Sequence, residues 1–342
     1  MVRPAVPWRI LAGLYSLIFA TGAVVTAVVA WSPLDVVVGP ALWAVALGFL
    51  IVAIGVVYGL TGRNPAIATL ALCIGAMMVG GQVARVLDFV TKAMGYPLAD
   101  ATLASWDALL GLDWRSYHDW LLEHEHLAAF LAWLYKPTQL FVAAAIILLT
   151  VRGRLREAAS FALAIAVTLV ICVVIGGFLP AVGPYGYFGV PDHGTASWME
   201  AIRDIATGKV TQIDLANLPA LTTFPSYHSA VAILIVLASW KVGRIGGALA
   251  VVNLIWLVGV PVWGDHYFID IFAGVAIGVL CHVALFGWLC RKTVGLAAPG
   301  PVKVALAPAL LTEASGFAPP PEDAAPGSPE RLRDTGPPSA RA

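Results

Sequence analysis

Eight stretches of this chain are apolar enough and long enough to cross a bilayer, and they leave little room for any other architecture. A helix that spans the hydrocarbon core needs about 20 apolar residues, and its backbone groups must be satisfied within the helix itself. Cut at charges, prolines and glycines, the spans fall at about 8–31, 38–60, 65–87, 127–150, 157–179, 225–240, 245–262 and 267–290. The sixth is short and starts at Pro225, as suits a helix whose first turn lies in a polar cavity. With 60% of its 342 residues apolar and 12% charged, the chain is not an ordinary soluble domain. The fold class that follows is an all-α polytopic membrane bundle of about eight transmembrane helices. Charge is balanced, 20 basic residues against 20 acidic, so there is no electrostatic footprint for nucleic acid. Partners are expected among lipids and membrane-delivered substrates.

Orientation follows from the basic residues of the short loops, which stay cytoplasmic. Arg3 and Arg9 precede the first span, Arg63 follows the second, and Arg152, Arg154 and Arg156 separate the fourth from the fifth. Lys241 and Arg244 separate the sixth from the seventh, and Arg291 with Lys292 follows the eighth. All of these fall on one side, so both termini are expected in the cytoplasm of an integral protein of the plasma membrane. The long acidic loops then lie outside. The first run lacks a clear cleavage site and reads as a retained span rather than a signal peptide.

Three regions result. Residues 1–64 hold two N-terminal transmembrane helices, and residues 65–295 hold a six-helix catalytic core. The acidic, aromatic-rich stretch at about 97–126 reads as helices on the outer membrane surface, with Leu103, Trp106, Leu110 and Trp114 at helical spacing. Residues 296–342, rich in Ala and Pro, read as a disordered cytoplasmic tail. Cys73, Cys172, Cys281 and Cys290 lie in apolar runs and act as small hydrophobes, with no disulfide framework or metal knuckle in their spacing.

Ionisable residues at the ends of spans are costly and therefore candidates for function. Two segments qualify: Phe224-Pro225-Ser226-Tyr227-His228-Ser229 at the start of the sixth span, and Gly264-Asp265-His266-Tyr267-Phe268-Ile269-Asp270 at the start of the eighth. The sixth span leaves the outer face at His228, the seventh returns to it, and the eighth departs at His266, so both imidazoles share one depth. A spacing of four places His266 and Asp270 on one helical face, where the carboxylate orients one ring nitrogen and frees the other as a nucleophile. His228 stands at a helix N-terminus, where exposed N–H groups favour an anion. Together these make a phosphoryl-transfer constellation. Either histidine alone also suits a polar anchor at the interface.

These two segments resemble the second and third motifs of the type 2 phosphatidic acid phosphatase superfamily, and most closely its inositol phosphorylceramide synthase-like branch. Phe178-Leu179-Pro180-Ala181-Val182-Gly183-Pro184-Tyr185 is also similar to that branch, and the resemblance extends over about residues 80–290. It implies an inositolphosphotransferase-like enzyme acting on a lipid phosphate ester, with a polyol or glycan as acceptor and with no metal or organic cofactor. By that resemblance His266 would attack phosphorus to form a phosphohistidine, Asp270 would orient it, and His228 would protonate the leaving oxygen. Ser226 would hold a phosphate oxygen, and Tyr227, standing where phosphatases have Gly, would narrow the pocket.

The chain departs from the superfamily pattern in its cations. Val260 occupies the position of an arginine six residues before the third-motif histidine, and no basic residue occurs at 170–184, where the first motif would fall. A phosphate dianion calls for cationic donors, and Lys136 and Arg85 are the candidates, although Arg85 can instead pair with Asp88. Glu123-His124-Glu125-His126 reads as a solvated face rather than a metal site. His118 and His193 read as loop residues without partners, and His282 as a contact to a neighbouring helix. Three rival functions remain: a lipid phosphate phosphatase using water, a proton-coupled transporter, and an inactive superfamily member.

Overall fold

The computed structural model describes residues 5–39, 41–190, 196–217 and 221–287. The expected tail at 296–342 and His193 lie outside them. The chain runs α1 (Trp8–Ala30), β1 (Asp35–Val37), α2 (Ala41–Leu60), α3 (Pro65–Lys92), α4 (Asp100–Leu109), α5 (Trp114–Glu123), α6 (Glu125–Tyr135) and α7 (Thr138–Val151). It continues with α8 (Leu155–Phe178), α9 (Pro184–Phe188), α10 (Ala196–Ala206), β2 (Gln212–Asp214), α11 (Tyr227–Ser239), α12 (Gly243–Trp263) and α13 (Phe268–Cys281), which runs on into a π-helical turn, His282–Gly287. Six of these helices, α1, α2, α3, α8, α12 and α13 with its extension, are long and apolar enough to cross a membrane. The result is an all-α membrane bundle.

Three spans differ from their expected form, each for a local reason. The third runs to Lys92 rather than stopping at 87, because Lys92 and Asp88 neutralise one another inside the protein at 3.3 Å. The fourth is broken into α6 and α7, which meet at 58°, where Pro137 supplies no backbone donor to carry the helix through. The sixth, α11, has only 13 residues, about 20 Å at 1.5 Å per residue. Its chain enters through a cis Phe224–Pro225 peptide, and Ser226 caps the first turn by accepting from the Ser229 N–H at 3.2 Å.

The core joins α1, α3, α8 and α11 through Leu14, Leu72, Phe161, Ala162 and Leu234. Side chains such as Phe19, Trp43 and Leu60 point outward, as expected where the solvent is lipid. One feature had no sequence signal: β1 pairs in parallel with β2, Asp35 opposite Gln212, tying the α1–α2 loop to the loop before α11. At the opposite end of the bundle the basic turns come together, and a Cβ on Gly243 would lie 2.8 Å from Arg152 Nη1.

Candidate active site

The histidine-bearing turn between α12 and α13 is shaped by three neighbours. Asp265 adopts a left-handed φ of 53°, tolerable for a short polar side chain. Its carboxylate accepts the Tyr185 N–H at 3.0 Å and packs against Gly183, whose φ of 93° and lack of a Cβ leave room for it. The His266 N–H returns to the Pro261 carbonyl at 3.2 Å, a carbonyl that also accepts the Trp114 indole N–H at 2.9 Å. His266 therefore precedes the helix, and Tyr267 is the N-cap of α13. The contact with Asp270 does form, Nδ1 to Oδ2 at 3.3 Å. It forms by a different route from the one expected of a shared helix face: Asp270 turns back to accept the Tyr267 N–H at 3.0 Å, and His266 sits beside that cap.

The start of α11 is anchored to the same helix. The Ser226 N–H donates to the Asp270 carbonyl at 3.0 Å, and a Cβ at Gly274 would collide with the Ser226 carbonyl, so α11 and α13 approach backbone to backbone. This brings the His228 and His266 rings to a centroid separation of 5.9 Å. Ser226 is wholly buried, its oxygen also accepting from the Ser229 hydroxyl at 3.1 Å. Tyr227 and His228 are half-buried and line one cavity. The Tyr135 hydroxyl lies 3.3 Å from His228 Nδ1, and the Tyr135 ring stacks on Trp256 at 5.2 Å.

Two carboxylates on the short helix α4 brace this centre. Asp107 accepts the N–H groups of Phe268 and Ile269 at 2.9 and 2.8 Å, satisfying donors exposed at the N-terminus of α13. Asp100 accepts the Val182 and Gly183 N–H groups and the Tyr267 hydroxyl, all at 3.0–3.1 Å. Burial pushes both carboxyls up, against the lowering effect of those hydrogen bonds. Burial, then the neighbouring His228, push the His266 imidazole down to about 3, opposed by a hydrogen bond with the Thr223 carbonyl. The ring is thus uncharged at neutral pH, the form a nitrogen nucleophile requires.

Cations are placed unevenly. Arg85 shares a cavity of about 520 Å³ with His228 and donates to the Leu215 carbonyl at 3.1 Å. Lys136 stands exposed at the α6–α7 break and is not among the residues lining that cavity. Its neighbour Tyr135 makes the contact with His228 instead. Val260 is buried in an apolar cluster with Leu134, Trp256 and Ile271, so no cation stands at that position. Lys92 is enclosed between Asp88 and the Gly176 carbonyl, at 3.3 and 2.8 Å. Asp88 also accepts the Leu221 N–H and the Thr222 hydroxyl, so this pair holds the segment that leads into α11. His118, expected in a loop without partners, is buried on α5, stacked on Trp114 and 2.8 Å from Asp119.

The family model of the PAP2 superfamily matches residues 101–284, just over half of the chain. The chain belongs to the PAP2 superfamily. No curated protein and no solved structure matches it. The superfamily match takes in both histidines, Asp270, and the bracing pair Asp100 and Asp107 only in part, since Asp100 falls one residue before it. It leaves out α1, α2 and α3, and with them Arg85, Asp88 and Lys92. Residues that the sequence reading passed over are Tyr135, Asp100, Asp107 and Asp265. The seven-residue spacing of Asp100 and Asp107 on one face of an amphipathic helix was the available signal.

Proposed function

We propose that this PAP2 superfamily protein transfers a phosphoryl group from a lipid phosphate ester to a polyol or glycan alcohol, in the manner of an inositolphosphotransferase, at an outward-facing site. The reading rests on one observation: two imidazoles 5.9 Å apart, one of them backed by a buried carboxylate. In the first step the His266 nitrogen that Asp270 does not hold gives up its contact with the Thr223 carbonyl and attacks phosphorus, while Asp270 holds Nδ1. The bond from phosphorus to the lipid oxygen breaks, and that oxygen takes a proton from His228. Tyr135 occupies Nδ1 of His228, which leaves the other ring nitrogen to serve the leaving group. In the second step the acceptor hydroxyl loses its proton to His228 as its oxygen displaces His266 from phosphorus. Arg85, which lines the same cavity as His228, would steady the phosphate oxygens.

Water as the acceptor, giving a lipid phosphate phosphatase, is the second reading, and superfamily membership favours it. One experiment separates the two. Purified protein is incubated with radiolabelled phosphatidate, with and without inositol, and free phosphate is resolved from phosphorylated alcohol. Transfer predicts that inositol diverts label from phosphate into the alcohol; hydrolysis predicts phosphate alone. An acid-labile, base-stable label on the protein, present in the wild type and lost in His266→Ala, tests the phosphohistidine. Absence of both product and label under all conditions would remove the reading.

A further inference from the structure

The cavity that reaches His228 does not stop at the polar end of the bundle. Its ionisable groups, Arg85, Asp88 and His228, lie near the histidine end of their helices, with Thr138 at the start of α7 and Thr222 in the segment before α11, while Thr21 stands further along on α1. From the histidine end it runs towards the middle of the bundle between walls of α1, α3, α7 and α8, supplied by residues such as Leu17, Met77, Val142, Leu169 and Val173. At about 520 Å³ it is within the range of pockets that hold organic ligands, roughly 300–1,000 Å³. One end charged and the other apolar is the polarity of a lipid phosphate.

The width of this slot is set on α3. A Cβ on Gly81 would meet nothing within 4 Å, so the space there is open. A Cβ on the adjacent Gly80 would lie 3.1 Å from Ile18 of α1, which marks where the wall closes. Both glycines, and the whole of α1, lie outside the segment matched by the superfamily.

We infer that this slot holds the hydrocarbon chains of a lipid phosphate, with the phosphate at Arg85 and His228, and that Gly80 and Gly81 of α3 together with α1 determine which chains fit. The inference rests on the proposed phosphoryl transfer for the phosphate end alone. It assigns a specificity role to a part of the protein that the superfamily match does not cover.

Two readouts on the full-length protein test it. The first is the ratio of kcat/KM for dioleoyl phosphatidate to that for dibutyryl phosphatidate. The second is equilibrium binding of radiolabelled dioleoyl phosphatidate, which needs no turnover. Gly81→Leu fills the open space, and both the ratio and the affinity are expected to fall at least tenfold. Thr21→Phe narrows the slot from α1 and serves if the first variant does not fold. Gly247→Leu, on α12 away from the slot and also with open space at its Cβ, is the control in which neither readout moves. Turnover with an unchanged ratio in a folded slot variant overturns the inference, as does failure of the wild type to bind the long-chain lipid. Binding that is lost in the variant, in a wild type that releases no product, supports the slot and sinks the phosphoryl-transfer reading alone.

Discussion

Asp88 of α3 and Asp270 of α13 sit in matching circumstances. Each is buried, each lies four residues from a basic side chain, and each fastens the segment that leads into α11. Asp88 is saturated, its two oxygens shared among Lys92 at 3.3 Å, the Thr222 hydroxyl at 2.7 Å and the Leu221 N–H at 2.8 Å. Asp270 is not. Its Oδ2 takes the Tyr267 N–H and faces His266, while Oδ1 has no hydrogen-bond partner among the described residues. An unmatched buried acceptor costs about 1–3 kcal/mol, which stability alone does not explain. A saturated pair is a scaffold, whereas a pair with spare capacity, set beside a second imidazole, is a place where chemistry can occur.

Replacing the basic partner in each pair separates the two roles most sharply. His266→Ala removes an uncharged ring, so turnover of phosphatidate should fall at least about a thousandfold, while the unfolding temperature in detergent moves little. Wild-type turnover in this variant would end the mechanism. Lys92→Met does the reverse. It strands the Asp88 carboxylate in the interior at a cost of about 3–5 kcal/mol, read as a lower unfolding temperature and poor folded yield. Adding Asp88→Asn should recover much of that loss, because removing both partners is far less costly than removing one. If the double variant is no better than the single, the pair is not the closed unit described.

Much of this site was legible in the sequence because membrane topology is restrictive. Once spans are fixed, alternate loops must share a face, and the meeting of His228 with His266 follows from counting. What could not be read depends on tertiary docking. Tyr135 was hidden beside the more conspicuous Lys136, and only the break at Pro137 decides which of the two turns towards His228. Asp100 and Asp107 read as surface acids: their spacing puts them on one helix face, but only docking shows that α13 and the 182–183 turn offer that face backbone donors. The β1–β2 pairing joins three-residue segments far apart in the chain, too short for any periodicity to betray.

Smaller changes around Asp270 sharpen the same contrast. Asp270→Asn keeps the shape but weakens the hold on His266, and a loss of about a hundredfold in kcat with little change in KM is expected. Asp107→Ala strips two donors at the start of α13 of their acceptor and should cost about 1–3 kcal/mol of stability, with a lesser fall in kcat as the turn loosens. Tyr135→Phe removes only the hydroxyl facing His228, and a fall of several-fold in kcat is expected, about the worth of one hydrogen bond. A drop in KM affinity with kcat untouched would place Tyr135 in substrate binding instead.

The finest effect lies in the pH dependence of stability. The folded His266 ring is held down to about 3 against an ordinary 6.5. Between those values the unfolded chain binds a proton at this position that the folded chain does not. Stability from this group therefore rises with pH through that window and is complete above it, with a slope of at most about 1.4 kcal/mol per pH unit. His266→Gln has no such linkage. As the pH is taken from about 7 to about 4.5, the unfolding temperature of this variant should climb relative to the wild type. A flat difference for His266→Gln would mean that the folded ring titrates as a free one does, and the buried, uncharged nucleophile would have to be abandoned.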